Sequence, residues 1–341
     1  MAKDTGLWEL SLGKKENLGK KDWSKPVTAV RIRPGLFYFK MMLSYVPLDK
    51  SWTIRMGFLD ITRGYGSKDI LHFLESQKDL GEDIKALARV ASIWNTKEPL
   101  DVGESGTIYR LVRFYIWKEK IDREIITRGT LTKRVKEMKA GPEIVTWHLK
   151  QLLTLEHGTT QWATAAILFG NSETLPEVPF YLQKTYDSLA HWNSQRKKGK
   201  VWIPQKDVTL STQVKEYISY LKTGKISIVS HRLGDCDLYC FLRAFNRITR
   251  KEGEVIWPQL KSHESDRFLE MERTLEELYS GNIIHSRDHR VVQAEAMLLQ
   301  SRDKSKGAKE LKKYFSNPDC VNKTWPQFWE FMDYCKDISK S

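Results

Sequence analysis

The chain has 341 residues, 40% of them hydrophobic and 29% charged, and this balance predicts a folded globular protein and excludes a disordered one. It has no run of 18 apolar residues, and its N-terminal segment lacks the hydrophobic centre of a signal peptide. We therefore expect a cytoplasmic protein without a membrane anchor, and the length leaves room for two domains.

The net charge of +13 predicts attraction to anions, which can be nucleic acids or small polyanionic substrates. The basic residues are spread along the chain in runs such as "LTKRVKEMK" and "SQRKKGK", which is typical of solvated surfaces. The sequence shows no RNA-recognition signature, zinc finger or heptad repeat. The charge pattern alone leaves both candidates open.

The four cysteines are few for this length: Cys236, Cys240, Cys320 and Cys335. No set of histidines accompanies them, so their pattern does not indicate a zinc site. We expect reduced thiols that pack in the interior.

In chain order, β-like runs alternate with amphipathic helical runs. The run "VTAVRIRP" (27–34) predicts a strand that ends at Pro34. The segment 67–81 predicts a helix that Ser67 caps. Its apolar contacts are expected from Ile70, Leu71, Phe73 and Leu74.

Further along, "QVKEYISYLKTGK" (213–225) predicts a helix that a glycine ends, and 194–207 has the composition of a linker. The stretch 261–278 begins with a dense polar head and continues with apolar residues at spacings of 3, 4 and 3, which indicates an amphipathic helix. Its apolar stripe is Phe268, Met271, Leu275 and Leu278. The mixed pattern predicts an α/β protein with a domain boundary near the linker.

Four polar clusters stand beside apolar helix-like runs, at 101–110, 261–267, 285–290 and 320–332. In the first, Gly103 and Gly106 let the backbone approach a ligand, and Arg110 can close over it. Taken singly, each cluster is typical of a capping or solvated sequence. A shared anionic ligand would give all four a common purpose, because arginine binds phosphate or carboxylate through paired hydrogen bonds and lysine supplies a point charge.

Five motifs, in order, resemble those of the 5-enolpyruvylshikimate-3-phosphate (EPSP) synthase family: "DVGESGTIYR", "GTTQWATAAILF", "SHESDRFLEMERTLEEL", "SRDHRVVQAEAMLL" and "CVNKTWPQFWEFM". The helix "GSKDILHFLESQKDLG" also resembles the family's first-repeat helix. The resemblance implies an α/β fold of two domains, an inverse α/β barrel-like architecture built from βαβαββ repeats. It implies one domain from 34–204, a second from 1–33 with 205–341, and an active site in the cleft between them.

The reaction that the resemblance implies transfers the enolpyruvyl group of phosphoenolpyruvate to the 5-hydroxyl of shikimate 3-phosphate and releases phosphate, a step in aromatic amino-acid biosynthesis. It implies a monomer, domain closure that expels water, and no metal or organic cofactor. Both substrates are anions, so arginine and lysine must gather charges that otherwise repel. Proton transfers at the hydroxyl and the methylene carbon need a carboxylate and a partner acid.

Carried over motif by motif, the resemblance assigns phosphoenolpyruvate binding to Arg267, Arg290 and Lys323, and it makes Glu264 the active-site glutamate. The shikimate 3-phosphate contacts would be Gln161, Thr159, Thr160 and Tyr181. The catalytic base matches either Asp235 or Asp237, and the spacing does not choose between them.

The sequence departs from the family at the N-terminal Gly-Ser-Lys-Ser motif, where it has "LFYFK" (36–40) and Lys40 as the replacement cation. His263 stands where the family has a lysine, although Lys261 is two residues away. Glu104 replaces an asparagine and adds negative charge near an anion site.

Two further departures concern phosphate contacts. Val178 replaces a serine, and the family's phosphoenolpyruvate arginine falls near Leu131 or Thr132, with Lys133 and Arg134 just beyond. These losses keep two alternatives open. One is a family member with a changed substrate or no catalysis, and the other is an RNA-processing protein of related fold, which only the net charge supports.

Overall fold

A computed structural model describes ten stretches of the chain: 43–64, 67–77, 79–155, 160–170, 173, 175, 180–200, 204–228, 236–262 and 266–338. Within them, the side chains of 67–69, 160, 180, 181 and 262 are not described. These stretches belong to one compact unit, Lys40–Ser341. The predicted strand 27–34 lies outside the described residues.

Helices form most of the described chain. The α-helices are α1 Lys50–Thr62, α2 Ser67–Ser76, α3 Glu82–Ile93, α4 Gly106–Glu119, α5 Gly129–Glu137, α6 Leu149–Leu152, α7 Thr160–Leu168, α8 Phe180–Lys197, α9 Val208–Thr223, α10 Tyr239–Ala244, α11 Arg250–Ile256, α12 Arg267–Tyr279, α13 His289–Arg302, α14 Ala308–Leu311 and α15 Phe328–Ile338. Short 3₁₀ segments are Pro142–Thr146, Cys236–Leu238, Pro258–Ser262, Lys312–Tyr314 and Pro318–Lys323. In the described part of the chain, no helix combines the length and apolar character needed to cross a bilayer.

The described strands are β1, Leu100–Gly103, and β2, Ile125–Thr127, which pair in parallel with α4 between them. The predicted inverse α/β barrel-like fold of βαβαββ repeats is therefore wrong, because the described chain is mostly helical and holds one two-stranded sheet. A short apolar run has the same composition in a buried strand and in a buried helix, and periodicity alone does not separate them. Here such runs, including Thr160–Leu168, are helices.

Where caps and apolar spacing agree, the predicted helices are confirmed. The Asp207 side chain accepts a hydrogen bond from the Leu210 N–H (2.9 Å) at the start of α9, and Gly224 ends that helix with a positive φ of 69°. The stripe predicted for 261–278 lies on α12, and all four of its apolar side chains are buried. The helix predicted over 67–81 ends earlier, at Ser76.

The described side chains form two hydrophobic cores. The first draws its members from Ile54 to Trp192, and the second from Val46 and from Val214 to Cys335. Each contains tryptophan that is fully buried, Trp162 in the first core and Trp325 in the second. The predicted division into 34–204 and 1–33 with 205–341 stays a prediction.

The chain passes from the second core to the first near residue 48 and returns near residue 206. The two passages lie side by side, because Leu48 and Lys206 form an antiparallel bridge. The Asp49 N–H donates to the Gln205 carbonyl at 2.8 Å, and the Lys206 ammonium donates to the Val46 carbonyl at 2.6 Å. One short antiparallel contact therefore joins the two connections between the cores.

All four cysteines are free thiols, and Cys236 and Cys320 are only partly buried. Cys240 and Cys335 are buried in the second core, and burial raises the pKa of both thiols well above the ordinary value. A thiol that stays protonated is a weak nucleophile and metal ligand, so these two residues act as small apolar side chains.

One carboxyl group lies inside the second core. Glu295, on α13, is fully buried, and burial raises its pKa to about 8. Its folded-state pKa therefore exceeds the ordinary glutamate value, so the native state binds the proton more tightly than the unfolded chain does. The resulting stabilisation is complete below about pH 4.3 and is lost as the pH rises toward 8.

We expect Glu295→Gln to remove this pH dependence, because the amide has nearly the same shape and no charge. Between pH 5 and 8, its free energy of unfolding should rise relative to wild type by up to about 1.4 kcal/mol per pH unit. Urea unfolding at pH 5, 6, 7 and 8 measures the difference. The matched control Glu276→Gln removes an exposed carboxylate from α12 and should follow wild type. Parallel wild-type and Glu295→Gln curves would contradict the prediction.

Candidate functional site

A cleft of about 1710 Å³ is lined by residues from the helices of both cores. One wall comes from the start of α1, the turn between β1 and α4, and parts of α5, α7 and α8. The other comes from Cys236 and Asp237, the start of α12, the segment 285–290 and the segment 317–323. Six residues predicted to form the site line this cleft: Gly106, Gln161, Asp237, Arg267, Arg290 and Lys323.

The second wall contains an ionic cluster of Asp237, Arg267, Asp288, His289 and Arg290. The Arg267 Nε donates to the Asp288 Oδ2 at 2.9 Å, and its Nη1 lies 3.6 Å from the Asp237 Oδ1. The Arg290 Nη2 donates to the Asp237 Oδ2, and the Arg290 Nη1 contacts the His289 Nε2. Each arginine therefore has a carboxylate beside it.

Burial and charge act against each other in this cluster. Burial alone would raise the pKa of Asp237, but Arg290 and Arg267 outweigh it and hold the pKa well below the ordinary value. The pKa of Asp288 is lowered in the same way, chiefly by Arg267. Burial and the adjacent Arg290 lower the pKa of His289 well below its ordinary value. At neutral pH the cluster thus contains two guanidinium ions, two carboxylates and a neutral imidazole.

Capping aspartates position both arginines. The Asp266 Oδ1 accepts hydrogen bonds from the Phe268 N–H (3.0 Å) and the Leu269 N–H (3.1 Å), so Arg267 is the first residue of α12. The Asp288 Oδ1 accepts a hydrogen bond from the Arg290 N–H at 2.9 Å and starts α13. Both arginines therefore lie in a first helical turn, which faces the cleft.

Gln161 lies on the opposite wall, in the first turn of α7, and its amide is held from two sides. The Arg110 Nη1 donates to the Gln161 Oε1 at 2.7 Å, and the Gln161 Nε2 donates to the Thr107 Oγ1 at 3.4 Å. The Arg110 side chain, which we expected to close over a ligand, is buried and is held by Gln161 and by the Gly106 carbonyl (3.3 Å). Arg110 fixes the orientation of a cleft residue instead.

Arginine side chains also surround the turn after β1. Gly103 has φ +56°, and the Arg89 guanidinium lies 2.5 Å from the position that a Cβ would take there. The Arg89 side chain fills the space beside Gly103, where we expected a ligand to approach the backbone. The Arg128 Nη2 lies 2.7 Å from the Asp101 Oδ2, so this wall too pairs its arginines with a carboxylate.

The region matched to the family's phosphoenolpyruvate arginine is split between core and cleft. Leu131 is fully buried in the first core, and the Thr132 hydroxyl lies 3.1 Å from the Thr127 hydroxyl. Arg134, one helical turn after Leu131, lines the cleft. An arginine therefore reaches the cleft from α5, although neither matched position provides it.

Sequence reasoning missed the start of α1, where Lys50, Ser51 and Arg55 line the cleft. The Lys50 Nζ donates to the Asp83 Oδ2 at 2.9 Å. The Arg55 Nε donates to the Ser188 Oγ at 2.9 Å, and burial lowers the pKa of Arg55. The missed signal was the aspartate at position 49, which caps α1 and places the following lysine and serine at a helix start.

The remaining predicted residues fall in three groups. Five lie outside the described residues: Lys40, Thr159, Asp235, His263 and Glu264. Thr160 lies on α7 and Tyr181 lies on α8, and the structure does not describe their side chains. Lys261 is half exposed, lies 3.4 Å from the Glu254 carboxylate and does not line the cleft.

Opposite charges are balanced along the cleft. Among the described residues that line it, aspartates and glutamates are as numerous as lysines and arginines. The buried Asp83 shows the effect: burial would raise its pKa, but Lys50 and Lys323 outweigh it and bring the pKa to about 2. Within the same residues no group of histidine, cysteine and carboxylate side chains has the geometry of a metal site.

Comparison with protein-family models, with curated proteins and with solved structures finds no match to this chain. The EPSP synthase resemblance therefore stays a prediction that rests on the motifs.

We expect Asp288→Ala to destabilise the fold by about 3–5 kcal/mol, because it leaves the buried Arg267 without its closest carboxylate. Loss of the α13 cap adds about 1 kcal/mol. Urea unfolding at pH 7 measures both. The control Asp319→Ala breaks an exposed ion pair with Lys312 and should cost less than about 1 kcal/mol. Equal losses of unfolding free energy in the two variants would show that the buried ion pair between Arg267 and Asp288 stabilises the fold no more than an exposed ion pair does.

Proposed function

We propose that the cleft binds small phosphorylated or carboxylated metabolites and transfers the enolpyruvyl group of phosphoenolpyruvate to shikimate 3-phosphate. The observation that supports this most directly is convergence. Six residues that the motifs assigned to the site are distant in sequence, between positions 106 and 323, and all six line one cleft. Unrelated capping sequences would have no reason to meet in one place.

The cations of the cleft suit this substrate class. Arg267 and Arg290 offer planar guanidinium groups for a carboxylate or phosphate, and Lys323 offers a point charge. Lys50 adds a second ammonium from the other wall, close enough to affect the pKa of Asp83 together with Lys323. Two anionic substrates repel each other, and cations on both walls offset that repulsion.

The start of α1 adds a further argument. The family's Gly-Ser-Lys-Ser motif is absent from 36–40, but a Lys-Ser pair occurs at Lys50 and Ser51. Both residues line the cleft at the start of a helix, where free N–H groups and the helix dipole favour an anion. The cation expected from the missing motif is thus available ten residues later.

In the proposed reaction, the 5-hydroxyl of shikimate 3-phosphate loses its proton to a carboxylate base as its oxygen bonds to C2 of phosphoenolpyruvate, and C3 gains a proton. The resulting tetrahedral intermediate then loses phosphate from C2 and a proton from C3, which restores the double bond. The arginines and lysines balance the negative charge of both substrates throughout. We propose that the protein acts as a monomer in the cytoplasm, as expected from the sequence.

One observation favours a second candidate, binding without turnover. Both Arg267 and Arg290 already have carboxylate partners, so they are not free cations waiting for a substrate. Such a protein would hold anions in the cleft and release no phosphate. The two candidates differ in the product that they form and not in the ligand class.

Phosphate release from phosphoenolpyruvate in the presence of shikimate 3-phosphate tests the proposal. We expect wild type to release phosphate and Arg290→Ala to lower kcat/KM by about 100-fold or more, because losing a charged transition-state contact costs about 2–4 kcal/mol. The control Arg287→Ala removes the same charge from an exposed position on the cleft and should change kcat/KM by less than about tenfold.

The outcomes separate the candidates. A folded wild-type protein that releases no phosphate at any concentration would exclude the transferase, and calorimetric binding of either substrate would then support binding without turnover. Absence of small-anion binding, together with tight RNA binding that weakens steeply with salt, would favour the nucleic-acid alternative.

A further inference from the structure

Asp237 occupies the place where a ligand anion would bind the arginine pair, Arg267 and Arg290. Its Oδ2 accepts a hydrogen bond from the Arg290 Nη2, and its Oδ1 lies 3.6 Å from the Arg267 Nη1. A carboxylate that meets two guanidinium groups through its two oxygens is the arrangement that a bound carboxylate or phosphate would adopt.

The two carboxylates of the ionic cluster differ in exposure. The Asp288 side chain is 8% exposed and also caps α13, so it is a permanent part of the interior. The Asp237 side chain is 35% exposed, lines the cleft and lies on the 3₁₀ segment Cys236–Leu238. A ligand entering the cleft can therefore replace Asp237 beside the arginines without disturbing Asp288.

Charge balance makes the two anions competitors. With Asp237 and Asp288 both ionised, the two arginines are already neutralised, so an added phosphate or carboxylate would leave the cluster with excess negative charge. Repulsion between close like charges in a partly buried site is strong. A ligand anion and the Asp237 carboxylate cannot both hold the arginine pair at full strength.

We propose that Asp237 is an internal competitor that occupies the anion-binding position of Arg267 and Arg290 in the free protein and sets the affinity for ligand anions. This inference rests on the proposed anion binding and goes beyond it, because it assigns Asp237 a role in affinity and not in proton transfer. The ligand must displace the Asp237 side chain from the arginines. The affinity for the anion is lowered because the contact between Asp237 and the arginines is lost on binding.

Calorimetric titration with inorganic phosphate, and separately with phosphoenolpyruvate, tests the inference in the full chain. Asp237→Asn should bind both probes about tenfold to a hundredfold more tightly than wild type, because its neutral amide holds the arginines less strongly than the carboxylate does. Asp237→Glu keeps the charge and should stay within about threefold of wild type.

Asp266→Asn is the matched control. Asp266 lines the same cleft and caps α12, and asparagine caps helices as well as aspartate does. The substitution removes one negative charge from the cleft without removing a partner of the arginine pair. It should therefore leave the affinity for phosphate within about threefold of wild type. This control separates direct competition by Asp237 from the effect of removing any one negative charge from the cleft.

Thermal unfolding with and without phosphate checks that the variants fold, and Asp237→Ser serves in place of Asp237→Asn if the latter does not. Equal or weaker binding by the uncharged variant, while wild type binds, would overturn the competitor role and leave the proposed function standing. An equal gain in Asp266→Asn would also overturn it. Binding by neither wild type nor the uncharged variants would overturn both proposals.

Discussion

A buried guanidinium group needs partners for its charge and its N–H groups, and in each core one such group is paired with a buried carboxylate. Moving an ion out of water costs several kcal/mol unless an opposite charge replaces the lost hydration. Arg267 meets the requirement with Asp288. In the first core, far from that pair in sequence, Arg196 meets it with Asp60, which also accepts a hydrogen bond from the Trp192 indole at 2.7 Å. Each core thus contains a buried arginine–aspartate pair, whereas Arg110 is held by Gln161 and the Gly106 carbonyl.

In the cleft this requirement conflicts with ligand binding. A site for anions needs cations with unused hydrogen-bonding capacity, whereas a stable interior needs those cations neutralised. The described cleft resolves the conflict by giving Arg267 one deeply buried carboxylate and one at the cleft surface. Lys50 has a buried partner of its own in Asp83. The net charge of the whole chain therefore says little about the charge that a ligand meets inside the cleft.

Helices with clear local signals could be predicted from the sequence. Asp207 and Gly224 mark the two ends of α9, and the apolar stripe of α12 has the spacing of a buried helix face. The sheet content could not be predicted, because runs such as Thr160–Leu168 contain mostly apolar and small residues. Their conformation depends on what they pack against, and tertiary contacts decide between helix and strand.

The candidate site was predicted in part for a similar reason. Arg267 and Arg290 were assigned from the resemblance of the short motifs that contain them, which are local patterns, and both lie just after a capping aspartate. Their pairing with Asp237 joins segments 53 residues apart for Arg290, and spacing along the chain contains no information about it. Lys50 was missed because the family's Gly-Ser-Lys-Ser motif is expected after a strand, whereas Lys50 begins a helix that Asp49 caps.

The antiparallel contact between Leu48 and Lys206 brings together the two ends of the segment that forms the first core. The segment that forms the first core leaves the second core and rejoins it at the same point, so its two ends are neighbours in space. Adjacent ends are the geometric condition for inserting one folding unit into a loop of another, and for reconnecting its termini in a new order. The first core is thus formed by one continuous segment with adjoining ends, and segments on both sides of it contribute to the second core.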